Sequence, residues 1–75
     1  MVEFEIRVHP KQKLAYFPKV IIKTLGTELK AVPNAKAMVL YPKEADLKTV
    51  IKSLKIILQD LELKAEEEAN ARERV

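Results

Sequence analysis

The sequence predicts an α+β protein with short strands over about residues 2–42 and one long helix in residues 43–75. Three observations lead to this prediction. Apolar and polar residues alternate near the N-terminus, which is the period of a half-buried strand. Four prolines and a single glycine divide the first 42 residues into short segments, because both residue types end regular elements. After Pro42 neither residue type occurs again, and apolar residues recur at helical spacing.

The first predicted element is a strand of eight residues that ends at Pro10. In it, apolar side chains alternate with polar ones: Val2, Phe4, Ile6 and Val8 against Glu3, Glu5, Arg7 and His9. A polar connection of residues 11–13 leads to a second short strand over residues 14–17, which ends at Pro18. Pro18 fits the first position of a helix, because its missing N–H needs no partner there. The helix is predicted to run from Lys19 to Leu25.

Gly26 lies where the end of this helix favours a left-handed residue. A third strand over residues 29–32, a turn over residues 33–36 and a fourth strand over residues 37–41 follow, and Pro42 ends the fourth strand. Pro33 and Asn34 favour the turn, because proline fixes φ and asparagine tolerates positive φ.

The long helix is predicted from Leu47 to about Arg72, roughly 39 Å at 1.5 Å per residue, with Asp46 as its N-cap. Ile56 and Leu63 form a minor stripe on nearly the opposite side, and the polar residues from Glu66 to Val75 are expected to fray. The main apolar stripe continues to Ala65, and its predicted oligomerisation residues are Leu47, Val50, Ile51, Leu54, Ile57, Leu58 and Leu61.

Charge is distributed unevenly along the chain. The 14 Lys+Arg and 11 Asp+Glu give a net charge of +3. Residues 1–43 contain eight bases and three acids, a balance of +5, whereas residues 44–75 contain six bases and eight acids, a balance of −2. A basic front and an acidic tail predict a polyanion-binding module, residues 1–42, joined to a helix, residues 43–75, that has another role.

Composition excludes several classes of protein. The absence of cysteine rules out disulfides, zinc fingers and a thiol nucleophile, and one histidine cannot form a histidine metal site. No Ser–His–Asp arrangement or glycine-rich phosphate loop is available, so we expect no catalytic residues, no metal and no cofactor. We also expect no signal peptide and no membrane span, and therefore a cytoplasmic protein. A 75-residue chain has a small core, so oligomerisation is the expected reinforcement.

Residues 14–26, with Pro18-Lys19, Ile21 and Leu25, resemble the strand–Pro–short helix–Leu-Gly signature of the SpoVT/AbrB swapped-hairpin family. The strand before this signature and the hairpin after it complete the family layout over about residues 2–42. The resemblance is to an archaeal-type member with an added C-terminal helix. It implies an intertwined homodimer in which each chain exchanges a hairpin with its partner to close one β-barrel.

Members of this family are mostly DNA-binding transcription regulators, chromatin-associated proteins or antitoxins, and basic residues of the first strand and the following loop contact DNA. Carried over to this chain, the resemblance implies double-stranded DNA as a partner. The family usually has Gly-Arg before the second strand, where this chain has Lys13-Leu14. Lysine suits phosphate better than guanine edges, so sequence preference is expected to be weak. The predicted DNA-binding residues are Arg7, Lys11, Lys13, Lys19 and Lys23.

Two other functions remain open. In an antitoxin the same basic dimer would bind DNA while the C-terminal segment binds a toxin. In a protein–protein adaptor the barrel would persist without DNA binding. The long helix is expected to reinforce the dimer, and its minor stripe suggests a tetramer or a protein partner.

Overall fold

The computed structural model describes residues 2–73, with side chains described through residue 72. It confirms the α+β class: the strands form two antiparallel hairpins, and a long helix ends the chain. The chain divides into two compact units, Val2–Ala45 and a second unit that begins at Asp46. The elements are β1 (Val8–His9), β2 (Leu14–Ala15), α1 (Lys19–Leu25), β3 (Leu29–Asn34), β4 (Ala37–Pro42) and α2 (Leu47–Glu73).

The first two strands are shorter than the sequence predicts. β1 contains Val8 and His9, whereas residues 2–7 of the predicted eight-residue strand lie outside any strand. The second predicted strand likewise contracts to Leu14–Ala15. The register pairs Val8 with Ala15, so only two residues remain before Pro18 to face residues 2–7. A strand needs a partner for its backbone groups, and β2 is too short to supply one within the same chain.

The prediction of α1 is confirmed at both ends, Lys19 and Leu25, but the two flanking residues behave differently from expectation. Pro18 has φ −56° and ψ 146°, so it is the N-cap rather than the first helical residue. Its carbonyl accepts the N–H groups of Ile21 and Ile22 at 3.0 and 3.4 Å. Gly26 has the expected positive φ of 85°, yet its ψ of −169° places it in an extended mirror-image region rather than a left-handed helical one. Essentially only glycine occupies that region.

Replacement of Gly26 by alanine is therefore expected to destabilise the protein by about 1–3 kcal/mol. A Cβ at this position would meet no atom within 4 Å, so the loss would come from backbone strain and not from a clash. Chemical denaturation at one fixed protein concentration measures the effect. Ala35→Gly is the matched control, because Ala35 has a φ of 45° that glycine adopts without strain. Equal stability of the two variants would contradict this account of Gly26.

The β3–β4 hairpin is longer than the sequence predicts because it includes Pro33 and Asn34, two of the residues predicted for the turn. The loop contains two residues, Ala35 and Lys36, and Ala35 rather than Asn34 has the positive φ. Beyond the ends of the strands, the Lys43 N–H donates to the Glu28 carbonyl at 3.0 Å. Hydrogen-bonded pairs alternate along an antiparallel ladder, so the pairs of Pro33 with Met38 and of Leu29 with Pro42 are non-hydrogen-bonded ones.

Both prolines consequently leave the ladder intact, because a missing N–H at a non-hydrogen-bonded pair would point away from the partner strand. β4 extends one residue beyond the predicted end at Tyr41 and includes Pro42 as its last residue. The same register divides the hairpin into two faces, because paired residues share a face and successive residues alternate. One face carries Lys30 and Asn34 together with four less polar residues, Val32, Ala37, Val39 and Tyr41. The other, which we call the apolar hairpin face, consists of Leu29, Ala31, Pro33, Met38, Leu40 and Pro42.

The predicted limits of α2 are confirmed to within one residue, Leu47–Glu73. Asp46 is its N-cap: Oδ2 accepts the Thr49 N–H at 3.3 Å and the Thr49 hydroxyl at 3.3 Å. The Asp46 carbonyl accepts the Val50 N–H at 3.1 Å, which is the first helical hydrogen bond. The helix continues as far as Glu73 through the segment predicted to fray, and residues 74–75 of that segment lie outside the described residues.

None of the described residues is buried. The chain has 7322 Å² of accessible surface, whereas a compact folded protein of 8.6 kDa has about 4,700 Å². Large apolar side chains remain exposed in both units, including Tyr16 at 72% and Leu47 at 59%. Within the described residues a single copy thus lacks the hydrophobic core on which the stability of a folded domain depends.

Candidate nucleic-acid interface

The connection between β1 and β2 is a short loop whose backbone is held by hydrogen bonds to one residue. The Lys13 N–H donates to the His9 carbonyl at 2.7 Å, and the Gln12 N–H donates to His9 Nδ1 at 3.2 Å. Lys13 has a φ of 58°, the left-handed conformation that closes the turn. His9 therefore organises this loop, a role that the sequence did not indicate because the acceptor Nδ1 depends on the folded turn.

Three of the predicted DNA-binding residues lie in this loop or at the start of the strand that leads to it. Lys11 and Lys13 are in the loop, Arg7 directly precedes β1, and all three side chains are exposed. We call these three residues the basic loop cluster. The strained φ of Lys13 and the two bonds to His9 fix the backbone that carries both lysines. Exposed cations on a fixed loop suit contact with phosphate groups.

The other two predicted DNA-binding residues form a separate group on α1. Lys19 and Lys23 lie four residues apart and are exposed, and the opposite side of the helix contains the half-buried Ile21, Ile22 and Leu25. Lys23 is in the last turn, where a positive charge interacts favourably with the helix dipole. Among the described residues, α1 makes no extensive contact with the β1–β2 hairpin, so the structure does not join this pair to the basic loop cluster.

An apolar cleft of about 390 Å³ lies beside α1. Thr24 is its one polar side chain, and the hydroxyl of Thr24 already donates to the Val20 carbonyl at 2.8 Å. The lining of the cleft is therefore almost entirely apolar, and the cleft fits apolar side chains. Its lining residues are Val2, Phe4, Val20, Ile21, Thr24 and Leu25.

The predicted oligomerisation residues lie along one side of α2, as their spacing requires. Val50 and Leu54 are half-buried, and the other members of the set, Leu47, Ile51, Ile57, Leu58 and Leu61, are exposed. An exposed leucine-rich stripe of this length is typical of a helix that packs against another protein surface.

The described residues provide no centre for metal chemistry, because no group of three or more His, Cys, Asp or Glu side chains is placed to hold an ion. None of the described helices combines the length and the hydropathy that are needed to cross a bilayer. Comparison with models of protein families, with characterised proteins and with solved structures finds no match to this chain.

Proposed function

We propose that this chain is a DNA-binding protein, a transcriptional regulator or a nucleoid-associated protein, that acts as a homodimer or higher oligomer. The dimer contacts duplex DNA through the basic loop cluster, with Lys19 and Lys23 as secondary contacts. The observation that carries the proposal is the fixed β1–β2 loop, which presents Lys11 and Lys13 with Arg7 beside them on a segment of charge +5.

The need for a second copy is supported by the apolar surface of the unit formed by residues 2–45. The apolar hairpin face includes Met38, which is 56% exposed, and the N-terminal segment, residues 2–7, has alternating apolar residues but is not part of a strand. A second chain that supplies the missing strand and covers this face would complete a barrel. This is the arrangement expected of a swapped-hairpin homodimer, and the apolar cleft beside α1 would be filled in the same step.

The DNA-binding role is supported by the position of the positive charge. A dimer contains two copies of the basic loop cluster, so six cations are available for phosphate contacts. Two of the three residues in each cluster are lysines, which act as point charges and read little of the base edges. The binding that results would be mainly electrostatic and weakly dependent on sequence.

The antitoxin alternative requires a C-terminal segment that becomes ordered on a toxin. α2 is a continuous helix from Leu47 to Glu73 with an N-cap of its own, which favours the regulator over the antitoxin. The adaptor alternative keeps the dimer and differs in one respect, namely the absence of DNA binding.

Binding of the full chain to two unrelated duplexes, measured by fluorescence anisotropy over a series of salt concentrations, tests the proposal. We expect similar affinities for both duplexes and a slope of log K against log salt of about −5 or steeper, since the six contacts of the two basic loop clusters alone release that many counterions. A double variant, Lys11→Ala with Lys13→Ala, removes four contacts per dimer and should make the slope shallower by about 3.6.

The matched control is Lys48→Ala with Lys64→Ala, which removes the same charge from α2 and should leave the slope nearly unchanged. Absence of binding to either duplex at low salt would reject DNA binding and favour the adaptor. Equal loss of slope in both double variants would reject the assignment of the basic loop cluster.

A further inference from the structure

The side of α2 that lies opposite its main stripe has an apolar ridge of its own. Ile56 and Leu63 are seven residues apart, so they lie on nearly the same side of the helix, and they are 61% and 59% exposed. We call these two residues the back ridge. A coiled-coil stripe accounts for the leucines of the main side but not for large apolar residues on the far side, where polar side chains are expected.

Charged residues beside the back ridge change sign along the helix. Lys52 and Lys55 precede Gln59, and Glu62 and Glu66 follow it. Helical spacing places these four residues and Gln59 on one flank of the ridge. Gln59, Glu62 and Glu66 line a shallow groove of about 300 Å³ with Leu63, which confirms that the acidic half and the ridge are neighbours.

We infer that the back ridge binds the same ridge of a second copy of this chain in antiparallel orientation, and that this contact joins two dimers. Gln59 is equally far in sequence from Lys52 and from Glu66. A two-fold axis near Gln59 therefore places Lys52 of one copy beside Glu66 of the other, and Lys55 beside Glu62. The same axis places Ile56 against Leu63 of the second copy, so the apolar and the charged pairs form together.

A parallel pair of helices and an unrelated protein partner both fit these residues less well than an antiparallel pair. In a parallel two-fold pair the charged flanks of the two copies would lie on opposite sides of the contact, so neither lysine of one copy could pair with a glutamate of the other copy's flank. An unrelated partner would have to carry the reverse charge order and a matching apolar spacing. A second copy has both features, since it is the same surface turned end to end. The main stripe remains available for the dimer, so the two contacts do not compete.

Sedimentation of the full chain without DNA, at low salt and over a range of concentrations, tests the inference. We expect an equilibrium between dimers and tetramers whose dissociation constant rises with added salt. Lys52→Glu should raise that constant at least about tenfold, and a second change, Glu66→Lys in the same chain, should restore it to within about threefold of the original value. Helix content from circular dichroism verifies that each variant is folded.

Lys48→Glu is the matched control. The antiparallel register places Lys48 beside the uncharged Asn70, so this variant should shift the constant less than Lys52→Glu. Replacing both Ile56 and Leu63 by serine should leave dimers at every accessible concentration. Dimers alone for the unaltered chain, or a double charge exchange that fails to restore assembly, would overturn the inference. The measurement uses no DNA. The association of two dimers into a tetramer is therefore tested independently of DNA binding.

Discussion

Leu40→Asp is expected to leave the chain largely unfolded at micromolar concentration, whereas Val32→Asp is expected to remain folded and dimeric. Leu40 lies in the middle of the apolar hairpin face, and Val32 lies on the opposite face of the same hairpin, where it is 53% exposed. If the apolar face becomes the core of a dimer, the first substitution buries a carboxylate and the second leaves it in water.

The expected size of the effect follows from the small stability of such a protein. A core of this size stabilises a chain by about 3–5 kcal/mol. Loss of a buried leucine removes about 2 kcal/mol, and an unpaired buried charge costs several kcal/mol more. For Leu40→Asp, the two losses together exceed the free energy of unfolding of the protein. Circular dichroism and light scattering of the two variants measure folding and mass together.

The unaltered protein provides an internal check on the same argument. Because association stabilises the folded state by mass action, its melting temperature should rise with protein concentration. A melting temperature that does not depend on concentration, or a folded monomer of the Leu40→Asp chain, would contradict the proposal that a second copy completes the core.

The helices could be predicted from the sequence because local chemistry determines their ends. Pro18 and Gly26 enclose α1, and Asp46 begins α2 by accepting two hydrogen bonds from Thr49. Each of these signals acts within a few residues, so it can be recognised without knowledge of the rest of the fold. The residual errors concern the exact conformation of Pro18 and Gly26, which depends on the path of the chain beyond the helix.

The strands were predicted less well because pairing is not a local property. The alternation over residues 2–9 describes a side-chain pattern, but β2 provides partners for only two of those residues. Pro33 was expected to end β3, yet its effect depends on whether its pair in the ladder is hydrogen-bonded, which only the register determines. Sequence reasoning therefore predicted four strands in the correct order and misjudged how far each one extends.

In the candidate interface, too, some features follow from local sequence signals and others depend on the folded structure. Lys11 and Lys13 could be assigned to the loop after β1 from the position of Pro10, since a proline ends the preceding strand. The part played by His9 could not, because its carbonyl and Nδ1 accept bonds from residues three and four positions later only once the turn has formed. Whether α1 and the loop act on one ligand depends on an assembly that one chain does not specify.

Reversing the charge of the basic loop cluster, with Arg7, Lys11 and Lys13 all replaced by glutamate, is expected to weaken DNA binding at least about 100-fold at low salt. The charge of residues 1–43 would change from +5 to −1, so this segment would repel phosphate. Arg7 alternates with the apolar residues of the N-terminal segment, and both lysines lie in the loop, so none of the three belongs to the apolar surface that a second copy would cover, and the dimer should still form. Anisotropy measures the affinity and light scattering measures the mass.

A second triple variant separates the location of charge from its total. Replacing Lys48, Lys64 and Arg72 by glutamate gives the same net charge of −3 for the whole chain but leaves the basic loop cluster intact. If phosphate contacts form at the cluster, this chain should bind DNA within about tenfold of the unaltered protein, since only the long-range field has changed. Equal weakening of the two variants would mean that total charge and not the β1–β2 loop determines binding. If the variant of the basic loop cluster still bound DNA, the contacts would instead be assigned to Lys19 and Lys23, which α1 presents independently of the loop.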